Sequence, residues 1–206
     1  MSTEIIKSHL RDYYNLEAEQ RSLREKSSWK IEQRDIFYNL IINENKETLL
    51  EIGAGTGQDS KFFMDGGLKV TAVDLSCEMV KKCKEKGIDV YELDFYNLSD
   101  LNKKFDCVWS MNCLLHVPKS DLPQVLKNIS AVLNDNGLFY MGVYGGKDSE
   151  EEFLNEIIQK PRLFTSYTEN KLKQILQNIF EIISFKTIEL EDHMDFQSII
   201  MRRKKL

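Results

Sequence analysis

Residues Thr48 to Asp59 read TLLEIGAGTGQD. The run Leu49-Leu50-Glu51-Ile52 reads as a buried strand ending in Gly53-Ala54-Gly55-Thr56-Gly57. Alternate glycines give a turn without Cβ atoms, so the polar tail of a ligand can lie against bare backbone. The spacing is G-x-G-x-G. A dinucleotide turn, G-x-G-x-x-G or A, needs a small residue at position 58, where this chain has Gln58. A different nucleoside ligand is therefore indicated.

Working outward, Lys69 to Val73 (KVTAV) reads as a second strand ending at Asp74. An acid about 20 residues beyond the first glycine is placed to accept hydrogen bonds from ribose hydroxyls. Ile88 to Leu93 reads as a third strand ending at Asp94-Phe95. A carboxylate beside an aromatic ring suits adenine: one accepts from the exocyclic amine, the other packs on the base. Phe105 to Ser110 and Leu138 to Val143 read as fourth and fifth strands. Ligands of open α/β sheets sit at the carboxyl ends of the strands, which places Ser110, Met111 and Asn112 beside the same ligand.

With these motifs in order, the chain resembles the class I S-adenosylmethionine-dependent methyltransferases. The residues that carry the resemblance are Glu51 to Gly57, Val73-Asp74-Leu75-Ser76, Asp94-Phe95, Phe105 to Ser110 and Asn136 to Tyr140. It implies S-adenosylmethionine as cofactor, held by Gly53, Ala54, Gly55, Gly57, Asp74, Leu75, Asp94, Phe95, Ser110 and Asn112. Glu51 is implied near the cofactor's ammonium group. The implied fold is a doubly wound, mostly parallel seven-stranded sheet with helices on both faces and an antiparallel C-terminal pair. The implied reaction is in-line methyl transfer. A cofactor-binding module without turnover and a nicotinamide-dependent oxidoreductase are the rival readings. Gln58 and the Asp94-Phe95 pair argue against the second.

The chain of 206 residues suits one domain with a sizeable core. Its expected parts are an N-terminal helical cap (1–46), a cofactor core (47–143), a variable insert (144–167) and a C-terminal helix and hairpin (168–206). With 42% apolar and 30% charged residues it reads as an ordinary globular protein. No apolar stretch approaches the roughly 20 residues of a membrane span. The N-terminus carries early charges and does not read as a secretory signal. A net charge of −5 disfavours nucleic acid as partner and leaves a small-molecule acceptor as first choice. The four cysteines form no C-x-x-C pair, so neither a metal site nor a disulfide framework is expected, and the cytoplasm is the expected location.

Further elements follow from caps and periodicity. Asp59 to Met64 starts a helix closed by Gly66-Gly67, Ser76 caps the next, and Ser120 caps one carrying Leu122, Val125, Leu126, Ile129, Val132 and Leu133. Ser166-x-x-Glu169 reads as a capping box, and Phe180 to Ile188 with Phe196 to Met201 as the closing hairpin. His116 is the candidate general base, with a structural role as its alternative. Tyr14, Arg34 and Tyr144 are candidates for the acceptor pocket. Tyr14, with Tyr13, reads as a lid over the cofactor or else as helix packing. Arg34 reads as a grip on a carboxylate or phosphate or else, the preferred reading, as the partner of a surface acid, and Tyr144 enters from the end of the fifth strand. His193 reads as solvated.

Overall fold

The computed structural model describes residues 1–190 and 195–204 of the chain. His193 lies outside them. The elements, in chain order, are α1 (Thr3–Ser22), α2 (Ser28–Asn43), β1 (Thr48–Ile52), α3 (Gln58–Asp65), β2 (Lys69–Asp74), α4 (Cys77–Glu85), β3 (Asp89–Glu92), β4 (Phe105–Met111), α5 (Leu122–Val132), β5 (Leu133–Gly145), β6 (Ser149–Asn155), β7 (Lys160–Ser166), α6 (Glu169–Gln177), β8 (Phe180–Glu189) and β9 (Asp195–Arg203). Short 3-10 turns fill Leu98–Leu101 and Leu114–His116.

Seven strands form one sheet in the order β3-β2-β1-β4-β5-β9-β8. The first four neighbouring pairs run parallel, and β9 runs antiparallel to both β5 and β8. The expected doubly wound, mostly parallel sheet with its reversed strand is thus the observed one. Chain order reverses between β1 and β4, which opens a crevice at their carboxyl ends.

Strand alternation sorts the core into two layers. Leu49, Cys107, Trp109 and Tyr140 face Phe37 and Ile41 of α2 and Phe63 of α3. Leu50, Val108, Phe139 and Met141 face α5 and α6. The α5 stripe is buried as its 3.6-residue period requires, and each of its Leu, Val and Ile side chains contributes roughly 1.5–3 kcal/mol of transfer free energy. Among the described residues, no helix is long and apolar enough to cross a membrane.

Three local expectations fail. Ser120 does not cap α5. Asp121 occupies that position, its own side chain makes no cap, and its Oδ2 accepts from Thr3 and Tyr96 instead. The Ser166–Glu169 capping box does not form: Ser166 belongs to β7, bonds Ser149, and leaves Thr168 at the helix entry. Leu133 starts β5 rather than ending α5. The segment after β5, read from sequence without elements, is a two-stranded antiparallel ribbon of β6 and β7 outside the main sheet.

Candidate active site

Gly53, Gly55 and Gly57 all adopt positive φ, at +72°, +55° and +77°. Such backbone favours glycine. The Gly53 and Ala54 N–H groups both donate to the Val73 carbonyl, at 2.9 and 3.1 Å, which ties the turn to β2. A Cβ on Gly55 would meet nothing within 4 Å, so bare backbone faces open space there. That space is a cavity of about 310 Å³ at the crevice between β1 and β4. Gly57 faces away from it. A Cβ there would strike Ile88 and Cys83, so this glycine serves helix packing and not the cavity wall.

Successive strand ends supply the walls. Asp74 and Leu75 come from β2, Asp94 and Phe95 from the chain after β3, Met111, Asn112 and Cys113 from β4. Asp74 accepts from the N–H groups of Gly55 (2.7 Å) and Ser76 (2.9 Å). Burial raises its pKa to about 6, against those backbone bonds. Asp94 Oδ1 accepts from the Tyr96 N–H at 2.8 Å, and its Oδ2 pairs with Lys7 of α1 at 2.9 Å. Asn112 sits at φ +57° with Oδ1 buried and unpartnered among the described residues.

The floor holds two acids. Ser60 Oγ donates to Glu51. Burial, then the neighbouring Asp59 charge, push Glu51 up to about 8. Asp59 stays paired: Lys26 donates to it at 2.5 Å and the Trp109 indole N–H at 3.1 Å.

α1 is the roof. Lys7, Leu10, Tyr14 and Arg21 recur at helical spacing on one face and all line the cavity. The Tyr14 hydroxyl and His116 Nε2 lie 2.8 Å apart, and His116 Nδ1 lies 2.8 Å from the Leu163 carbonyl of β7. A carbonyl only accepts, so Nδ1 carries the proton and Nε2 of the neutral ring accepts from Tyr14 O–H. Burial, then the Arg162 and Arg21 charges, lower His116 to about 4, against the opposing bond to Leu163. Burial raises Tyr14 to about 12.

The structure therefore gathers Glu51, Gly53, Ala54, Gly55, Asp74, Leu75, Asp94, Phe95, Asn112, Tyr14 and His116 around one cavity. Four candidates are not brought there. Ser110 is buried beneath the end of β4. Gly57 packs against Ile88 and Cys83. Arg34 stacks 3.6 Å from the Phe62 ring centre and leans on Asp59 at 3.5 Å, because α2 turns it toward α3. Tyr144 packs edge-on against Phe196 of β9. Sequence reasoning missed Lys7, Leu10, Arg21, Lys30 and Asp59 as wall residues. The common face of α1 was a usable signal for the first three. Among the described residues, no group of three or more His, Cys, Asp and Glu side chains is placed to hold a metal ion.

Residues 49–137 match the profile of a family described as "Methyltransferase domain". A sarcosine/dimethylglycine N-methyltransferase of Halorhodospira halochloris is 30% identical over 155 residues, which is 70% of this chain. The chain spans only 53% of that relative's length. Among solved structures, the 1,6-didemethyltoxoflavin-N1-methyltransferase of Burkholderia thailandensis, with bound 1,6-didemethyltoxoflavin and S-adenosylhomocysteine, superposes with a TM-score of 0.75 at 21% identity. It covers 98% of this chain, and the chain covers 88% of it. The magnesium protoporphyrin IX methyltransferase of Synechocystis with bound S-adenosylhomocysteine gives 0.72 at 16% identity, covering 96% of this chain and 99% of its own. At these identities the likeness is one of fold.

Proposed function

We propose that the chain, which matches a methyltransferase-domain profile over residues 49–137 and is 30% identical to an N-methyltransferase over 155 residues, is a class I S-adenosylmethionine-dependent methyltransferase that moves a methyl group from that cofactor to a small-molecule acceptor. The observation that carries this is the cavity itself. It joins a bare glycine backbone, an acid at the β2 tip and an acid beside an aromatic ring after β3. These residues fit the cofactor's parts. Gly53 to Gly55 would carry the amino-acid tail, Asp74 the ribose, and Asp94 with Phe95 and Leu75 the adenine. Glu51 would act near the ammonium group through the floor of the cavity.

The bound cofactor supplies an electrophilic methyl on a sulfonium, whose C–S electron pair leaves with a neutral thioether. What remains for the protein is geometry. Holding nucleophile, methyl and sulfur in line is worth roughly 7–11 kcal/mol. α1 covers part of the cavity, and the 2.8 Å bond to His116 fixes the Tyr14 hydroxyl at the cavity wall. Where the acceptor must lose a proton, the Tyr14 oxygen takes it while its own passes to His116 Nε2. His116 then acts through Tyr14 and does not touch the acceptor. The small cavity and the acidic chain support a metabolite over a macromolecule as acceptor.

The experiment is calorimetry with S-adenosylhomocysteine, followed by turnover with isotopically methyl-labelled cofactor and a cell metabolite extract. Binding together with a labelled small product supports the proposal. Binding without any product leaves a cofactor-binding module, and absence of binding rejects the cofactor assignment.

A further inference from the structure

Five cationic side chains line the cavity: Lys7, Arg21, Arg24, Lys26 and Lys30. Three are committed to acids. Lys7 pairs with Asp94 at 2.9 Å, Arg24 with Glu17 at 3.3 Å, and Lys26 with Asp59 at 2.5 Å. Lys30 has no carboxylate partner among the described residues. Arg21 reaches only Glu17, at 3.8 Å, a carboxylate it shares with Arg24, and its Nε is buried without a hydrogen bond. A buried guanidinium N–H left unpaired in this way costs free energy unless a ligand completes it.

The cofactor of the preceding section brings one carboxylate and the cavity offers two cations without a hydrogen-bonded carboxylate, Lys30 and Arg21. Lys30 feels the charges of Lys26 and Asp59 and lines the same cavity as the glycine turn, where the amino-acid tail belongs. Arg21 has its guanidinium carbon 4.8 Å from the centre of the Tyr14 ring, and its charge also reaches Lys30 and Asp74. A further guanidinium reinforces this side. Arg162 of β7 lies 3.7 Å from the centre of the Tyr13 ring and has no carboxylate partner among the described residues. Two guanidinium groups without a hydrogen-bonded carboxylate, Arg21 and Arg162, thus lie beside the Tyr14–His116 pair.

We propose that the methyl acceptor is an oxyanion-bearing metabolite, its carboxylate or phosphate gripped by Arg21 so that its nucleophilic atom lies beside Tyr14. The inference rests on the methyltransferase reading and adds the class of acceptor. It also gives the Arg21 charge a purpose. Burial is the main cause that holds His116 a weak base, and an anion on Arg21 offsets the smaller part that the Arg21 charge adds.

The test uses the full chain, methyl-labelled cofactor and a metabolite extract split by anion exchange, with half of the anionic fraction treated with alkaline phosphatase. Label is expected in a component of the anionic fraction. Loss of that product after phosphatase assigns a phosphate, and its survival assigns a carboxylate. Label confined to neutral or cationic components, or absent from both fractions, overturns the proposal. With the acceptor found, Arg21→Gln should raise its KM about tenfold or more while S-adenosylhomocysteine affinity stays within about twofold. Arg21→Lys, which keeps the charge, should recover part of that loss and shows that the chain folds. Lys30→Gln should do the reverse, weakening S-adenosylhomocysteine with little change in acceptor KM. An Arg21→Gln variant that loses S-adenosylhomocysteine affinity and keeps acceptor KM overturns the assignment. Failure of the wild-type chain to bind S-adenosylhomocysteine would instead reject the cofactor reading underneath, a different signature from either fraction result.

Discussion

Asp74 shows how one side chain joins local geometry to ligand chemistry. Its carboxylate holds the glycine turn through Gly55 and the entry of α4 through Ser76. It also lines the cavity, with lone pairs left for hydroxyl donors. Asp74→Ala should therefore weaken S-adenosylhomocysteine by about tenfold or more, because it removes charged hydrogen bonds. Unchanged affinity in calorimetry would refute the ribose role. His116 behaves differently. Its ring is held neutral at both nitrogens, so its NMR resonances should not titrate between pH 5 and 8; a transition near 6.5 would mean a solvated ring. His116→Ala and Tyr14→Phe should each slow turnover, by roughly 10²- to 10⁴-fold where the acceptor loses a proton. Cofactor affinity should stay the same. A rate loss in His116→Ala alone would leave Tyr14 without a part in proton transfer. The acid at Asp74 was legible because its distance from the glycine turn is set by strand and helix lengths. The partner of His116 was not, since Tyr14 lies 102 residues away in sequence.

Helix α1 has a small apolar anchorage, chiefly Ile6 and Leu10 against Leu163. Polar contacts do the rest of the pinning: Lys7 to Asp94, Tyr14 to His116, and Asn15 to the start of α4. Asn15 Oδ1 accepts from Ser76 Oγ at 2.6 Å and from the Glu78 N–H at 3.3 Å. Asn15→Ala should cost about 1 kcal/mol locally. Faster amide exchange in α1 and faster release of S-adenosylhomocysteine should accompany it, with exchange in β1 and β4 unchanged. Equal acceleration in the strands would mean that α1 is integral to the core and not a separable roof. Sequence periodicity found the parallel strands and α5, whose apolar pattern is strong. It missed the β6–β7 ribbon, where the outward β6 residues are acidic and the apolar Phe153 and Leu154 stay exposed. The buried face of the ribbon is only Leu163 and Thr165 of β7, too short and too mixed in polarity to read as an alternating apolar strand.

Over the whole molecule, stability should carry the imprint of buried acids. Glu51 is raised to about 8, so the folded chain keeps its proton where the unfolded chain has lost it. Its contribution is then most favourable below the ordinary glutamate value and is lost as pH rises toward 8. Glu51→Gln removes that slope. The difference in melting temperature, variant minus wild type, should grow between pH 5 and 8 by more than about 2 °C. A constant difference would show that Glu51 ionises freely in the fold. Leu126→Ala, in the centre of the α5 stripe, should cost about 2–5 kcal/mol by chemical denaturation; a loss under 1 kcal/mol would place α5 outside the cooperative core. Residue order alone determined the sheet, the glycine turn and the acids at the strand tips, because these depend on local periodicity and on turns that few residues can make. The roof, the neutral His116, and which cations hydrogen-bond a carboxylate were decided by packing. Each depends on which side chains from α1, β4 and β7 come within 3 or 4 Å of one another, and charge in a low-dielectric cavity is governed by those distances and not by separation along the chain.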